Sequence, residues 1–249
     1  ASIQELFLIF QEEEQLIKFK NMKTNFDTEL LTTIKDNLYT AVVGDIMDQM
    51  GFQNQFLSPK IKPLRDDMVV VGRAMTVLET DTSDNKLTTK NKAMTKPFGL
   101  MLEALDQLKE NEVYLCTGGT PNYSLWGELM STRAIKCGSV GAVLDGYSRD
   151  THGILKLNFP TFSYGTYSQD QAPRGKVIDY RVPIKINNVK INPGDIVFGD
   201  IDGVCIIPQE VEKEVIDKSY EKVKGEDLVR KSIESGMTTV EAFDKFGIM

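Results

Sequence analysis

The stretch from Glu112 to Leu144 constrains the fold of this chain most. Glu112 to Cys116 (EVYLC) is a short β run ending in Thr117-Gly118-Gly119-Thr120-Pro121, Leu125 to Cys137 has helical character and stops at Gly138, and Val140 to Leu144 is apolar enough for a buried strand. Strand, glycine loop, helix and strand in that order predict a parallel crossover, and hence an α/β protein. Ligands in such units sit beyond the carboxyl ends of the strands. Those ends are Thr117 to Pro121 and Asp145 to Asp150.

The rest of the chain extends this unit. Ile3, Leu6, Phe7 and Phe10 follow helical spacing, so the first twenty residues predict an amphipathic helix, and residues 1–27 a helical extension ahead of a body at 28–249. Thr28 to Met50 reads as a second helical region with Gly51 just past its end. Asp66 to Leu78 is β-rich, with Gly72 at a bulge or close approach, and the polar, lysine-rich Thr80 to Thr95 predicts a loop. Gly99 to Leu108 is helical. FPTFSYGTY predicts strand, Ile184 to Ile191 a hairpin about Asn187-Asn188, IVFGD and VCIIP two further strands, and Gln209 to Ser232 a closing helix.

Composition removes several kinds of chemistry. The 249 residues carry one histidine, His152, which excludes a three-histidine zinc site or an HExxH protease. Cys116, Cys137 and Cys205 are odd in number and set among apolar residues, as reduced core cysteines of a cytoplasmic protein would be. A net charge of −7 without Lys/Arg blocks argues against nucleic acid as the main partner, and no apolar run has the length of a membrane span. Gly118-Gly119 lacks the rest of a phosphate-loop motif and reads as room for backbone near a ligand. For a Schiff-base aldolase, Lys185 and Lys190 fall on the polar face of the hairpin, and no lysine stands within an apolar strand.

The leading site candidate is Arg149-Asp150 in DGYSRD, a guanidinium beside a carboxylate at a strand end. Glu128 follows the glycine loop, and twenty residues lie between it and Arg149, which one helix and one strand fill. The acids of both strand ends then approach one cleft. A site of carboxylates and water with no His or Cys suits a hard cation such as Mg²⁺ or Mn²⁺.

Gly127-Glu128-Leu129-Met130, then Arg149-Asp150 within VGAVLDGYSRD, resembles the signature of the RraA-like family, which includes 4-hydroxy-4-methyl-2-oxoglutarate/4-carboxy-4-hydroxy-2-oxoadipate aldolases and regulators of ribonuclease activity A. TAVVGDIMDQMG, VVGRAMTV, NPGDIVFGDIDGVCIIP and TTVEAFDKFGI match as well, so the resemblance runs from about residue 28 to 248. It implies an α/β/β sandwich resembling a swivelling domain, assembled as a homotrimer or dimer of trimers with sites between subunits. It also implies a class II pyruvate aldolase and oxaloacetate decarboxylase acting on a small 2-keto acid with Mg²⁺ or Mn²⁺. On that resemblance Asp150 would be the metal ligand, and Arg149 would bind the α-keto acid and stabilise its enolate. The N–H groups of Leu129 and Met130 would hold the substrate carboxylate, and Glu128 would hold water on the metal. Many family aldolases have Asp where this chain has Glu128, whose extra methylene either makes it a direct ligand or narrows the substrate space. Glu226, in GEDLVRK, stands roughly where family aldolases recruit a glutamate from a neighbouring subunit. His152 has no role in the signature. The alternatives are a protein-binding regulator of ribonuclease activity and a sugar-acid pathway enzyme acting on another 2-keto acid.

Overall fold

The computed structural model describes residues 27–82 and 92–248. The amphipathic helix expected over the first twenty residues lies outside them. Residues 27–37 form helix α1, and α2 spans Thr40–Gln49, so the helical region expected from Thr28 to Met50 consists of two helices. The break has a physical cause. Tyr39 is extended, and the backbone N–H and hydroxyl of Thr40 both donate to the Asp200 carboxylate, at 2.8 and 2.7 Å. A buried acid from a distant turn thus caps α2 in place of a local residue.

The strands are β1 (Lys62–Pro63), β2 (Val70–Asp81), β3 (Glu112–Thr117), β4 (Ser124–Trp126), β5 (Gly141–Leu144), β6 (Tyr147–Ser148), β7 (Thr161–Ser163), β8 (Gly175–Tyr180), β9 (Ile184–Ile186), β10 (Val189–Ile191), β11 (Ile196–Gly199) and β12 (Val204–Ile207). The remaining helices are α3 (Lys92–Thr95), α4 (Met101–Asp106), α5 (Glu128–Lys136), α6 (Thr151–Leu157), α7 (Glu212–Glu234) and α8 (Thr239–Phe246). The main sheet runs β1-β7-β5-β3-β2-β11-β12, and β8 pairs with the far half of β2. Strands β2, β3, β5 and β7 are mutually parallel, as the crossover predicts, and β11 and β12 extend the sheet antiparallel.

Period-two alternation decides which layer each side chain joins. Tyr114 and Cys116 of β3, with Ala142 and Leu144 of β5, face a core that α4, α5 and α6 complete. Val113, Leu115 and Val143 face the other way, onto the β9–β10 hairpin through Ile184, Ile186, Val189 and Ile191. Ile196 and Phe198 of β11 and Cys205 and Ile207 of β12 pack under α1, α2 and α7. Helices, main sheet and hairpin thus form the α/β/β sandwich of a swivelling-type domain. Among the described residues no helix is long and apolar enough to cross a membrane.

Several local expectations are corrected. Leu125 and Trp126 belong to β4, which pairs with β6, and the helix begins only at Glu128. Strand β2 runs on to Asp81 and α3 follows at Lys92, so the region from Thr80 to Thr95 is not wholly loop. Of FPTFSYGTY only Thr161–Ser163 is strand. Lys176 stands within β8 with its side chain buried and its Nζ donating to the Met94 carbonyl at 2.6 Å, so the chain does hold a lysine inside a strand. Gly72 is the close approach expected of it, since a Cβ there would lie 2.6 Å from the Asn111 carbonyl oxygen.

Candidate active site

Trp126 fixes the site from below. Its indole is buried, donates to Ser131 Oγ at 2.7 Å, and packs against the rings of Tyr114 and Phe159 at centroid distances of 4.8 and 6.0 Å. Parallel pairing of β4 with β6 brings the ends of both strands together, and Arg149 N–H donates to the Trp126 carbonyl at 2.9 Å. Gly127, in extended conformation, therefore lies directly beside Asp150. A Cβ on Gly127 would come within 2.6 Å of Asp150 Oδ2.

Asp150 adopts the left-handed conformation at φ 55°, which Asp tolerates better than most residues, and precedes α6 without spending its carboxylate on a cap. Its Oδ2 instead accepts the Glu128 N–H at 3.3 Å and stands 3.8 Å from Arg149 Nε. The N–H groups of Leu129 and Met130 occupy the first turn of α5, ahead of the first intrahelical bond from Ser131 N–H to the Gly127 carbonyl at 3.0 Å. Such donors suit an anion. Arg149, Asp150, Leu129 and Met130 all line one cavity of about 420 Å³.

The other sequence candidates lie apart from this group. The Glu128 side chain turns over α6, where a Cβ on Gly153 would fall 2.3 Å from its Oε2. His152 is exposed on α6. Glu226 accepts the Tyr39 hydroxyl and stands 3.9 Å from Lys222 Nζ, at the junction of α2 and α7 in its own chain.

Asp170 and Gln171 were not singled out in the sequence, yet both line the cavity, and Asp170 Oδ1 stands 3.3 Å from Arg149 Nη1. They belong to the loop after β7, the next parallel strand, so the rule that points to the ends of β3 and β5 would have reached them had it been carried one strand further. Gln171 donates at 2.7 Å to Glu79 Oε1. Burial of Glu79 pushes its carboxyl up to about 8, only partly offset by hydrogen bonds from Gln171 and Tyr123. Slight burial would raise Asp81, but hydrogen bonds from the Thr120 backbone and the Tyr123 hydroxyl outweigh it and hold that carboxyl below its usual value.

The donor set bears on a metal. Asp150 presents an oxygen donor on a side chain 46% exposed, and among the described residues no three His, Cys, Asp or Glu side chains converge. A single open carboxylate is a donor type that a hard cation such as Mg²⁺ accepts.

A crossover sheet with a charged loop pair facing a helix start across a glycine defines a swivelling-type α/β domain. The chain belongs to the RraA-like family, whose profile (Aldolase/RraA) matches residues 40–206. It is 29% identical over 205 residues to a protein of Halalkalibacterium halodurans called "Putative 4-hydroxy-4-methyl-2-oxoglutarate aldolase", covering 82% of this chain and 89% of that one. It is also 29% identical over 211 residues to protein DlpA of Legionella pneumophila, covering 84% of this chain but only 32% of DlpA, so the chain spans about a third of that relative. A solved chain described with novel cellulases from gut-associated microbes shares 33% identity at a TM-score of 0.72, covering 81% of this chain and 86% of that one.

Proposed function

We propose that this chain is a divalent-metal-dependent lyase that cleaves 4-hydroxy-2-oxo acids and decarboxylates oxaloacetate through a pyruvate enolate. The observation that carries the reading is the convergence of Arg149, Asp150 and the first turn of α5 on one cavity across Gly127. Aldolase-type function is the family's, and the metal, the residue roles and the substrate are this reading's own.

The N–H groups of Leu129 and Met130 bind the substrate carboxylate, and Arg149 faces the 2-oxo oxygen. Breaking C3–C4 sends its electron pair toward that oxygen as an enolate, where the guanidinium stabilises the developing charge. The 4-hydroxyl loses its proton as C4 becomes a carbonyl, and in this reading a water held by Glu128 accepts it. The enolate then takes a proton at C3 to give pyruvate. Oxaloacetate reaches the same enolate by losing CO₂ and needs no base. Mg²⁺ or Mn²⁺ held through Asp150 would add Lewis-acid polarisation of the 2-oxo acid. In this reading the working unit is a homotrimer or dimer of trimers in which Glu226 of a neighbouring subunit adds an acid to the site.

Pyruvate release from oxaloacetate and from 4-hydroxy-4-methyl-2-oxoglutarate, with and without EDTA and with Asp150→Asn, tests the proposal. Release that EDTA and the substitution both abolish supports it, whereas release that survives both removes it.

A further inference from the structure

We infer that Glu79 is a positioning residue whose buried carboxyl fixes the amide of Gln171 in the wall of the Arg149 cavity, where Gln171 contacts the substrate. This rests on the lyase reading and adds two residues to the same site.

The first observation is the link between the two residues. Gln171 lines the cavity beside Asp170, whose Oδ1 stands 3.3 Å from Arg149 Nη1. The Gln171 side-chain Nε2 donates to Glu79 Oε1 at 2.7 Å, and its backbone carbonyl accepts the N–H groups of Arg174 and Gly175 at 2.5 and 2.8 Å. Backbone and amide are thus tied separately, which leaves the side chain little freedom. Glu79 is 2% exposed and Gln171 5%, so the pair is closed off inside one chain and does not depend on what a neighbouring subunit brings to the cavity.

The second observation is how much local structure is given over to Glu79. Strand β2 shifts register against β8 between Leu78 and Glu79, and irregularities of this kind re-aim a side chain. A Cβ on Gly175 would fall 2.3 Å from Glu79 Oε1, and one on Gly119 3.2 Å from its Cγ. Gly119 of the glycine loop therefore makes room for an acid side chain. Yet Glu79 Oε2 meets no hydrogen-bond partner among the described residues, and burial keeps the carboxyl largely protonated at neutral pH. Stability alone favours an apolar residue at such a position, since a buried acid with an unpaired oxygen is costly. What the acid supplies, and an apolar residue does not, is an acceptor for the Gln171 amide.

Steady-state pyruvate release from oxaloacetate by the full chain with Mg²⁺, resolved into KM and kcat and measured beside thermal unfolding, decides the matter. A wall contact made equally in the ground and transition states appears in KM alone. Glu79→Gln keeps a neutral carbonyl acceptor of the same shape and should leave both constants within about twofold of the parent. Glu79→Met fills the same space without an acceptor and should raise KM about three- to tenfold, the worth of one neutral hydrogen bond, with kcat little changed. Gln171→Met should raise KM by as much, and combining the two substitutions should be no worse than Gln171→Met alone, because the pair acts as one unit. A parent-like KM in Glu79→Met, an equal rise in Glu79→Gln, or a double variant in which the two rises multiply overturns the inference and leaves the lyase reading standing. Should Glu79→Met fail to fold, Glu79→Asp, an acid one methylene too short to reach Gln171, takes its place with the same expected rise and the same overturning results. No pyruvate from the parent chain, on oxaloacetate or on 4-hydroxy-4-methyl-2-oxoglutarate, removes both readings.

Discussion

The backbone N–H of Glu128 donates to Asp150 Oδ2 at 3.3 Å, so the start of α5 and the loop after β6 are joined directly through a carboxylate. Gly127 makes this possible by leaving the space a Cβ would fill, 2.6 Å from that oxygen. Its backbone is extended and open to any residue, so the demand is for room alone. Gly127→Ala should therefore push Asp150 aside and lower pyruvate release roughly 10²-fold, with a stability loss of about 1–3 kcal/mol. Kinetics beside thermal unfolding will check it, and an alanine variant of full activity would show that the Asp150 position does not matter.

Asp150→Asn separates charge from shape. Asparagine accepts the left-handed backbone at φ 55° and preserves the side-chain outline. Activity should fall about 10²–10³-fold, while the melting temperature stays within about 2 °C of the parent. Asp150→Ala should cost a further 1–2 kcal/mol or so of stability from the left-handed conformation. Equal activity in the asparagine variant and the parent would deny the carboxylate a part.

Asp170 stands 3.3 Å from the Arg149 guanidinium, in a partly exposed ion pair. Such pairs are worth about 0–1 kcal/mol. Asp170→Asn should accordingly lower KM for oxaloacetate about two- to fivefold at low salt, and the difference should shrink as salt rises. A raised KM would mean that Asp170 orients Arg149 rather than competing for it.

Glu79 predicts the pH dependence of stability. Its carboxyl moves from 4.5 to about 8 on folding, driven first by burial. The folded state therefore holds the proton more tightly than the unfolded chain, so the stabilisation is complete below about 4.5 and is lost as pH rises through about 8. The loss by pH 9 should be of the order of a few kcal/mol. Glu79→Gln, which stays neutral, should flatten a plot of melting temperature against pH and raise its alkaline end. The same alkaline decline in parent and variant would point to another group.

The sequence carried the layers of this fold clearly and its joins poorly. Val113 and Leu115 alternate with Tyr114 and Cys116 within one apolar run, so a strand buried on both faces was readable, as was the hairpin about Asn187-Asn188. Trp126 was not, because LWGELM has helical spacing and its membership of β4 depends on pairing with Tyr147 and Ser148 far along the chain. Arg149 and Asp150 were legible for the same reason that β5 was, since both follow from the parallel crossover. Asp170 enters from a separate loop and shows no local pattern. Glu79 sits where β2 shifts register, so nothing in VLETD announces a carboxyl that burial keeps protonated. TTVEAFDKFGI was read only as part of the family match, and its Thr238 and Glu241 form a capping box at the start of α8.

The central claim is that Arg149 and Asp150 stabilise a pyruvate enolate, and this can be measured without knowing the physiological substrate. Pyruvate in D₂O, followed by proton NMR with the full chain and Mg²⁺ or Mn²⁺, should lose its methyl signal to deuterium well above the buffer rate. The loss should stop with EDTA, return on adding metal, and be absent in Asp150→Asn. Exchange no faster than in buffer, or exchange that EDTA leaves untouched, would contradict the account.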